Sequence, residues 1–283
     1  IYVLSRSPHP MQVYDSDGNF ITAWDDSIRG HGCSIGADDC FYLATGPDDP
    51  ENPHIIRKYS LDGKLLMTLG SGQPSDSGFR KIGKAAFESA RSITRPGGPF
   101  NRTTDVATSP NTGEIYVADG YGNCQVHKFS PEGELLLSWG EPGYEKGQFR
   151  IVHGIWIDKN DRVYICDREN DRIQVFDSQG KYITQWLGLS RPGSIFIDAE
   201  GSVYIIEFDA RVSIFSTDGE LLARMGSGWV YLLGLENEEE ENRELFVHPH
   251  AAVVDKKGDL YISEVGFRPE LGGRAIRKFI RKR

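Results

Sequence analysis

The stretch HGIWIDKNDRVYICDRENDRIQVFDSQGKYITQW, residues 153–186, contains four short apolar runs separated by turn-forming residues. The runs cover residues 153–158, 162–167, 172–177 and 181–186, and they predict four strands, a to d, joined in antiparallel order. Between the last two runs stands Phe176-Asp-Ser-Gln-Gly180. A short polar step that ends in glycine between two apolar runs is typical of a β-hairpin.

The same hairpin pattern recurs along the chain. An aromatic residue is followed by Asp or Ser, by any residue, by an acidic residue or Gln, and by Gly, in copies that begin at Tyr14, Tyr59, Phe129, Phe176 and Phe215. A tyrosine in the preceding strand marks each repeat again, at Tyr2, Tyr42, Tyr116, Tyr164, Tyr204 and Tyr261, with gaps of 40, 74, 48, 40 and 57 residues. A period near 40 residues with four strands is typical of a propeller blade. Six tyrosines therefore predict an all-β, six-bladed propeller; an open β-sandwich would fit the strand content but not the period.

We expect one domain over residues 1–283, because closed all-β folds of this length often form a single unit. The longer gaps place insertions at 71–103 and 227–247 in d–a connections, and at 46–53 and 265–273 in b–c connections. Both kinds of connection lie at the same end of a blade, here called the top, where long loops on a rigid scaffold usually build a binding site. Repeat one lacks strand a and repeat six stops after strand c, so ring closure is expected to join the two termini or to use residues outside this sequence.

The net charge limits the classes of molecule that the protein is expected to bind. A formal charge of −9 and a pI near 5.3 disfavour nucleic acid and anionic membranes as partners. The four cysteines, Cys33, Cys40, Cys124 and Cys166, have no CxxC spacing, which argues against a cysteine-based metal site and leaves their disulfide state open. We expect a monomer that acts on a small molecule.

The first residue of strand a is a histidine in every second repeat and a small residue in the repeats between. It lies eleven residues before the landmark tyrosine (twelve in repeat three), and its occupants are His31, Thr104, His153, Gly193 and His250. Alternate blades of a six-fold ring are about 120° apart, so the three imidazoles are predicted to converge on the channel as a zinc site with an open position. Two alternatives remain: buried histidines that hydrogen-bond their neighbours, and His248 in place of His250.

The ends of strands b place three further candidates on the same rim. They are Arg6, Tyr121 and Arg168. A tyrosine beside a divalent cation can act as a base, because the cation lowers nearby pKa values. A guanidinium is a bidentate partner for a carboxylate. The alternative is that these residues pair with Asp119, Asp167 and Glu169.

The insertion at 71–103 is rich in cations. It holds Arg80, Lys81, Lys84, Arg91, Arg95 and Arg102 against only Asp76 and Glu88. On an acidic protein, a basic segment over the site indicates a small anionic substrate, although a solvated loop would have the same composition.

Several motifs resemble, in order, those of the peptidyl-α-hydroxyglycine α-amidating lyases, which are NHL-repeat propellers. They are Asp119-Gly-Tyr-Gly-Asn123, Phe129-Ser-Pro-Glu-Gly133, Trp139-Gly-Glu141, Gly147-Gln-Phe149, Val152-His-Gly154 and Asp167-Arg-Glu-Asn170. The resemblance covers nearly the whole chain and is densest over residues 105–186. It implies a six-bladed propeller whose zinc is held by three histidines and which cleaves an α-hydroxyglycine to an amide and glyoxylate.

Carried over residue by residue, the resemblance implies that His31, His153 and His250 are the zinc ligands. It implies that Tyr121 is the base for the substrate hydroxyl and that Arg6 engages the substrate carboxylate. Arg168 matches a further active-site arginine.

The chain departs from the family pattern in several places, and its arginine motif, Ser5-Arg-Ser-Pro-His9, keeps only the arginine and a nearby histidine. The family aspartate that follows the third histidine and binds a structural calcium is Ala251 here, so we expect no tightly held calcium. The cysteine usual in the Asp-Gly-Tyr motif is Gly122.

These observations predict a zinc-dependent carbon–nitrogen lyase acting on a small anionic α-hydroxy acid or peptide. Two other hypotheses stay open. A metal-dependent hydrolase of the lactonase or esterase type would need a carboxylate or histidine placed as base for water. A non-catalytic NHL interaction module would bind no metal.

Overall fold

The computed structural model describes residues 1–5, 9–25, 28–49, 51–82, 86–226, 246, 248–265 and 276–282. The strands form six antiparallel sheets, and from the second blade to the sixth the innermost strands of neighbouring blades contact one another around a central channel. The predicted six-bladed β-propeller is confirmed.

The blades follow the chain in order. Blade one has β1 (Tyr2–Leu4), β2 (Met11–Tyr14) and β3 (Phe20–Ala23), and blade two has β4 (Gly32–Ile35), β5 (Cys40–Ala44), β6 (Ile56–Ser60) and β7 (Leu65–Leu69). Blade three has β8 (Asp105–Thr108), β9 (Ile115–Asp119), β10 (Gln125–Phe129) and β11 (Leu135–Trp139). A short parallel pair, β12 (Glu141–Pro142) and β13 (Gln148–Phe149), leads to blade four.

Blade four has β14 (Val152–Ile157), β15 (Val163–Asp167), β16 (Arg172–Phe176) and β17 (Tyr182–Trp186), each within one residue of its predicted start and end. Blade five has β18 (Pro192–Ile197), β19 (Ser202–Glu207), β20 (Arg211–Ser216) and β21 (Leu221–Met225), and blade six has β22 (Pro249–Val254), β23 (Leu260–Glu264) and β24 (Ile276–Phe279). One short helix, α1 (Ala86–Ala90), lies in the insertion at 71–103, and 3₁₀ turns cover Gly46–Asp48 and Arg168–Asn170.

The other predicted insertions are described less completely. Residues 227–245 and 247 of the second d–a insertion, and 266–273 of the last b–c connection, lie outside the described residues. Among the helices described, none is long and apolar enough to span a bilayer.

The core lies between the blades. Five clusters of buried apolar side chains each combine residues from two consecutive blades, from blades one and two to blades five and six. Between blades three and four, for example, Val126 and Phe149 pack with Ile155, Ile165 and Phe176. Burial of apolar surface contributes roughly 25 cal/mol per Å². Contacts between blades, rather than groups at the channel mouth, therefore supply most of the stability of the ring.

In three repeats the turn glycine also packs against the blade before it. Gly180 has φ 73°, a conformation that favours glycine, and a Cβ there would lie 2.9 Å from the indole of Trp139 in the preceding blade. Gly63 and Gly219 face Trp24 and Trp186 in the same way. The hairpin signal in the sequence therefore also marks where one blade packs on the next.

A second contact between blades repeats around the ring and also joins its two ends. The carbonyl of the third turn residue accepts a hydrogen bond from the blade before it. The observed donor and acceptor pairs are Tyr2 with Leu61 at 3.1 Å, Lys128 with Ser178 at 3.2 Å and Arg162 with Thr217 at 3.4 Å. In blade six, the Tyr261 hydroxyl and the Lys278 ammonium donate to the Ser16 carbonyl of blade one, at 3.1 and 2.9 Å. Blade six thus contacts blade one as the other blades contact their neighbours.

Candidate functional site

Three histidines meet at the top of the channel. His31 immediately precedes β4, while His153 and His250 are the second residues of β14 and β22. One ring nitrogen of each lies within 4.8 Å of the others, and the ring centroids are 4.9, 5.1 and 5.6 Å apart. His248 instead has its Nδ1 3.4 Å from the Phe208 carbonyl. Of the two candidates in blade six, the structure brings His250 to the other two histidines.

Carbonyl groups from the intervening blades orient two of these rings. The Nδ1 atom of His31 lies 2.8 Å from the Thr104 oxygen, and that of His153 lies 2.6 Å from the Gly193 oxygen. A carbonyl can only accept, so each Nδ1 carries the hydrogen and each Nε2 keeps a free lone pair. Thr104 and Gly193 are the residues that alternate with the histidines at the top of strand a. Blades three and five therefore orient the histidines of blades two and four.

The donor set fits a zinc ion. Neutral imidazoles with their Nε2 atoms facing a common point are the ligands of a three-histidine zinc site. Burial lowers the pKa of His153 well below its usual range, and the nearby Arg168 cation and the other two imidazoles lower it further. The imidazole is thereby kept neutral, which is the form that can donate to a metal.

The phenol of Tyr121 lies against the histidines. Its Oη is 2.9 Å from Nε2 of His153 and 3.2 Å from Nε2 of His31. A guanidinium nitrogen of Arg168 donates to the same oxygen at 3.2 Å. The structure thus gathers two of the three predicted rim residues around two of the histidines.

Arg168 is a buried cation at this rim. It begins the 3₁₀ turn after β15, its side chain is 3% exposed, and its Nε donates to Glu169 at 2.9 Å. Its guanidinium lies between the rings of Tyr121 and Phe208, 5.4 and 5.3 Å from their centroids. Of the alternative acid pairings, the one with Glu169 is therefore present. It leaves the guanidinium free to reach the phenol as well.

The other two acids at the strand ends have structural partners. Asp119 accepts hydrogen bonds from the Asn101 amide at 2.9 Å and from the side chains of Asn123 and His127 at 2.8 and 3.3 Å. Asp167 accepts from the Arg150 amide and from Nε of Arg172, both at 2.8 Å. Asp119 therefore anchors the segment that leads into β8, beside Tyr121. Asp167 anchors the segment that leads into β14, beside Arg168.

The insertion at 71–103 supports the loop of Tyr121. The amide of Gly122 donates to the Asn101 oxygen at 2.9 Å, and its carbonyl accepts from the Ser77 hydroxyl. The amide of Gly97 donates to Oδ1 of Asn123 at 2.9 Å. This packing role was not evident from the charge content of the segment, and its action as a basic cover over an anionic substrate stays a prediction.

The cations of that insertion have varied surroundings. Arg95 pairs with Asp76 on the surface, and Arg102 lies over the ring of Phe79 at 5.5 Å. Lys84 lies outside the described residues.

Two further predicted positions are Arg6 and Ala251. Arg6 lies outside the described residues. Ala251 lies in β22, and its methyl side chain offers no ligand oxygen. Its carbonyl accepts a hydrogen bond from the Ser263 hydroxyl at 3.5 Å. The expectation of no tight calcium stays a prediction.

Sequence reasoning missed Phe208 and Arg191 beside the site. The repeat register could have identified Phe208, because it follows Tyr204 by four residues, as Arg168 follows Tyr164.

Comparison with known proteins agrees with this architecture. The sequence matches the NHL repeat family over residues 100–129 and 149–176. NHL repeat-containing protein 3 of Mus musculus is 26% identical, over 94% of this chain and 73% of that protein. Peptidyl-alpha-hydroxyglycine alpha-amidating lyase 1 of Drosophila melanogaster is 32% identical, over 65% of this chain and 31% of that protein. A solved structure of a protein of unknown function from Bacteroides caccae superposes with a TM-score of 0.60 at 12% identity, covering 95% of this chain and 85% of that one.

The fold is a β-propeller, and two of its segments match the NHL repeat. Within that class the chain is similar to the peptidyl-α-hydroxyglycine α-amidating lyases, and the resemblance noted in its motifs is confirmed.

Proposed function

We propose that the chain is a zinc-dependent carbon–nitrogen lyase. It cleaves the N–C bond of a peptidyl- or acyl-α-hydroxyglycine-like substrate and releases an amide and glyoxylate. The observation that carries this proposal is the Tyr121 phenol oxygen within hydrogen-bond distance of two converging histidines, with the Arg168 guanidinium beside it. Similarity to amidating lyases supports the same reaction class.

His31, His153 and His250 would hold the zinc ion. When bound, that ion supplies a Lewis acid that lowers the pKa of a coordinated hydroxyl group. The carbonyl groups of Thr104 and Gly193 keep the Nε2 atoms of His31 and His153 available for it.

The proton transfers are assigned to this chain's own residues. Oη of Tyr121 accepts the substrate hydroxyl proton, and the Arg168 guanidinium, which donates a hydrogen bond to that oxygen, holds it in place. The C–N bond then breaks as the C=O bond forms, and the bonding electron pair leaves with the nitrogen. The nitrogen takes up the proton that Tyr121 accepted, which completes the amide and restores the phenol, so no atom is gained or lost overall. Arg6 is proposed to hold the carboxylate.

The proposal is tested with the purified protein and no mutation. We expect about one zinc and no calcium per chain by elemental analysis, and release of glyoxylate from N-benzoyl-α-hydroxyglycine. Absence of zinc would favour the non-catalytic NHL module. Zinc together with hydrolysis of lactones or esters, but no glyoxylate, would favour the hydrolase. Tightly held calcium with oxygen ligands would contradict the reasoning from Ala251.

Loss of Arg6 should affect substrate binding more than the chemical step. Arg6→Ala is expected chiefly to raise KM, because the substrate loses its carboxylate partner, and Arg6→Lys should restore binding only in part, because a point charge lacks the bidentate fork. Steady-state kinetics of glyoxylate release measures both. Arg281→Ala, which removes a surface cation paired with Glu200, is the control and should leave KM unchanged. An unchanged KM in Arg6→Ala would contradict this assignment.

A further inference from the structure

Phe208 lines the site on the other side of His153 from Tyr121. It follows β19 in blade five, and its ring lies edge-to-face against His153 and His250, with centroid distances of 5.5 and 5.3 Å. Tyr121 makes the same kind of contact with His31 and His153, at 5.1 and 5.4 Å. Two aromatic rings therefore occupy two of the three gaps between the histidines.

The ring of Phe208 is held in place from several sides. A Cβ on Gly193 would lie 2.5 Å from it, so glycine at the top of strand a in blade five makes the room that the ring fills. The guanidinium groups of Arg168 and Arg191 lie 5.3 and 5.7 Å from its centroid, and both arginines bond to Glu169. The side chain is only half-buried, so part of it remains accessible to solvent.

We infer that Phe208 forms the subsite for the acyl group on the substrate nitrogen and selects aromatic or large apolar acyl groups. The inference rests on the proposed function, in which Tyr121 takes the hydroxyl proton. Phe208 contacts His153 and His250, whereas Tyr121 contacts His31 and His153, so Phe208 lies where a substituent that points away from Tyr121 would be received. An aromatic or large apolar acyl group gains by burying apolar surface against a phenyl ring that is already fixed in place.

The test compares two substrates that share the reacting carbon. For N-benzoyl- and N-acetyl-α-hydroxyglycine, kcat/KM is measured from glyoxylate release by the wild-type protein, Phe208→Ala and Phe208→Leu. We expect the wild-type protein to prefer the benzoyl substrate and Phe208→Ala to lower the benzoyl-to-acetyl ratio about ten-fold. Phe208→Leu should fall between them. A merely structural role would lower both rates together and leave the ratio alone.

Phe196→Ala is the matched control. Phe196 is also half-buried and lies in the same blade, but it packs on Trp156 with a centroid distance of 4.8 Å, so its loss should leave the ratio unchanged. An unchanged ratio in Phe208→Ala, or a wild-type preference for the acetyl substrate, would refute the subsite while the lyase activity stands. A wild-type protein that cleaves neither substrate would refute the proposed function, and the subsite with it.

Discussion

Replacement of Tyr121 by phenylalanine is expected to lower kcat about 100-fold or more with little change in KM, as is usual for the loss of a general base. The substitution removes one oxygen and keeps the ring that packs edge-to-face on His31 and His153. Binding surfaces and zinc ligands therefore remain, and the missing group is the proton acceptor.

The measurement is glyoxylate release under steady-state conditions, with zinc content determined on the same samples. Tyr144→Phe is the matched control, because Tyr144 is 65% exposed and lies over Arg150 on the surface. Full turnover by Tyr121→Phe on a substrate that the wild-type protein cleaves would remove the lyase mechanism. The hydrolase, in which zinc activates water, would then become the leading hypothesis.

The double substitution of His31 and His153 by alanine is expected to abolish both stoichiometric zinc and turnover while the propeller stays folded. Two of three ligands are lost, and a single imidazole cannot hold the ion in a site of this kind. The fold should persist because the apolar clusters lie between blades and do not depend on the metal. Elemental analysis reports the metal, and circular dichroism with thermal unfolding reports the fold.

His248→Ala is the control for that experiment. His248 lies two residues before His250, and its Nδ1 faces the Phe208 carbonyl rather than the other histidines. Zinc should therefore be retained. Loss of zinc in His248→Ala would mean that the wrong histidine of blade six was chosen, and full zinc in the double variant would reject the three-histidine site.

Much of the blade could be predicted from local sequence. Turn glycines such as Gly180 and alternating apolar residues such as Ile173 and Val175 act over a few residues, so they indicate a hairpin without knowledge of the rest of the chain. The period of the landmark tyrosines then implies a ring. Symmetry of that ring was sufficient to predict that His31, His153 and His250 meet.

Tertiary structure decided which groups orient and surround those histidines. Oη of Tyr121 bonds to His31 across 90 residues of chain, and His153 is oriented by a carbonyl 40 residues away. Such contacts depend on the rotation between neighbouring blades and on side-chain conformations, which leave no periodic mark in the sequence. For the same reason the packing of Phe208 into the space left by Gly193 became visible only in the folded ring. Sequence register determined which residues reach the top of the channel, and packing between blades determined what each of them contacts there.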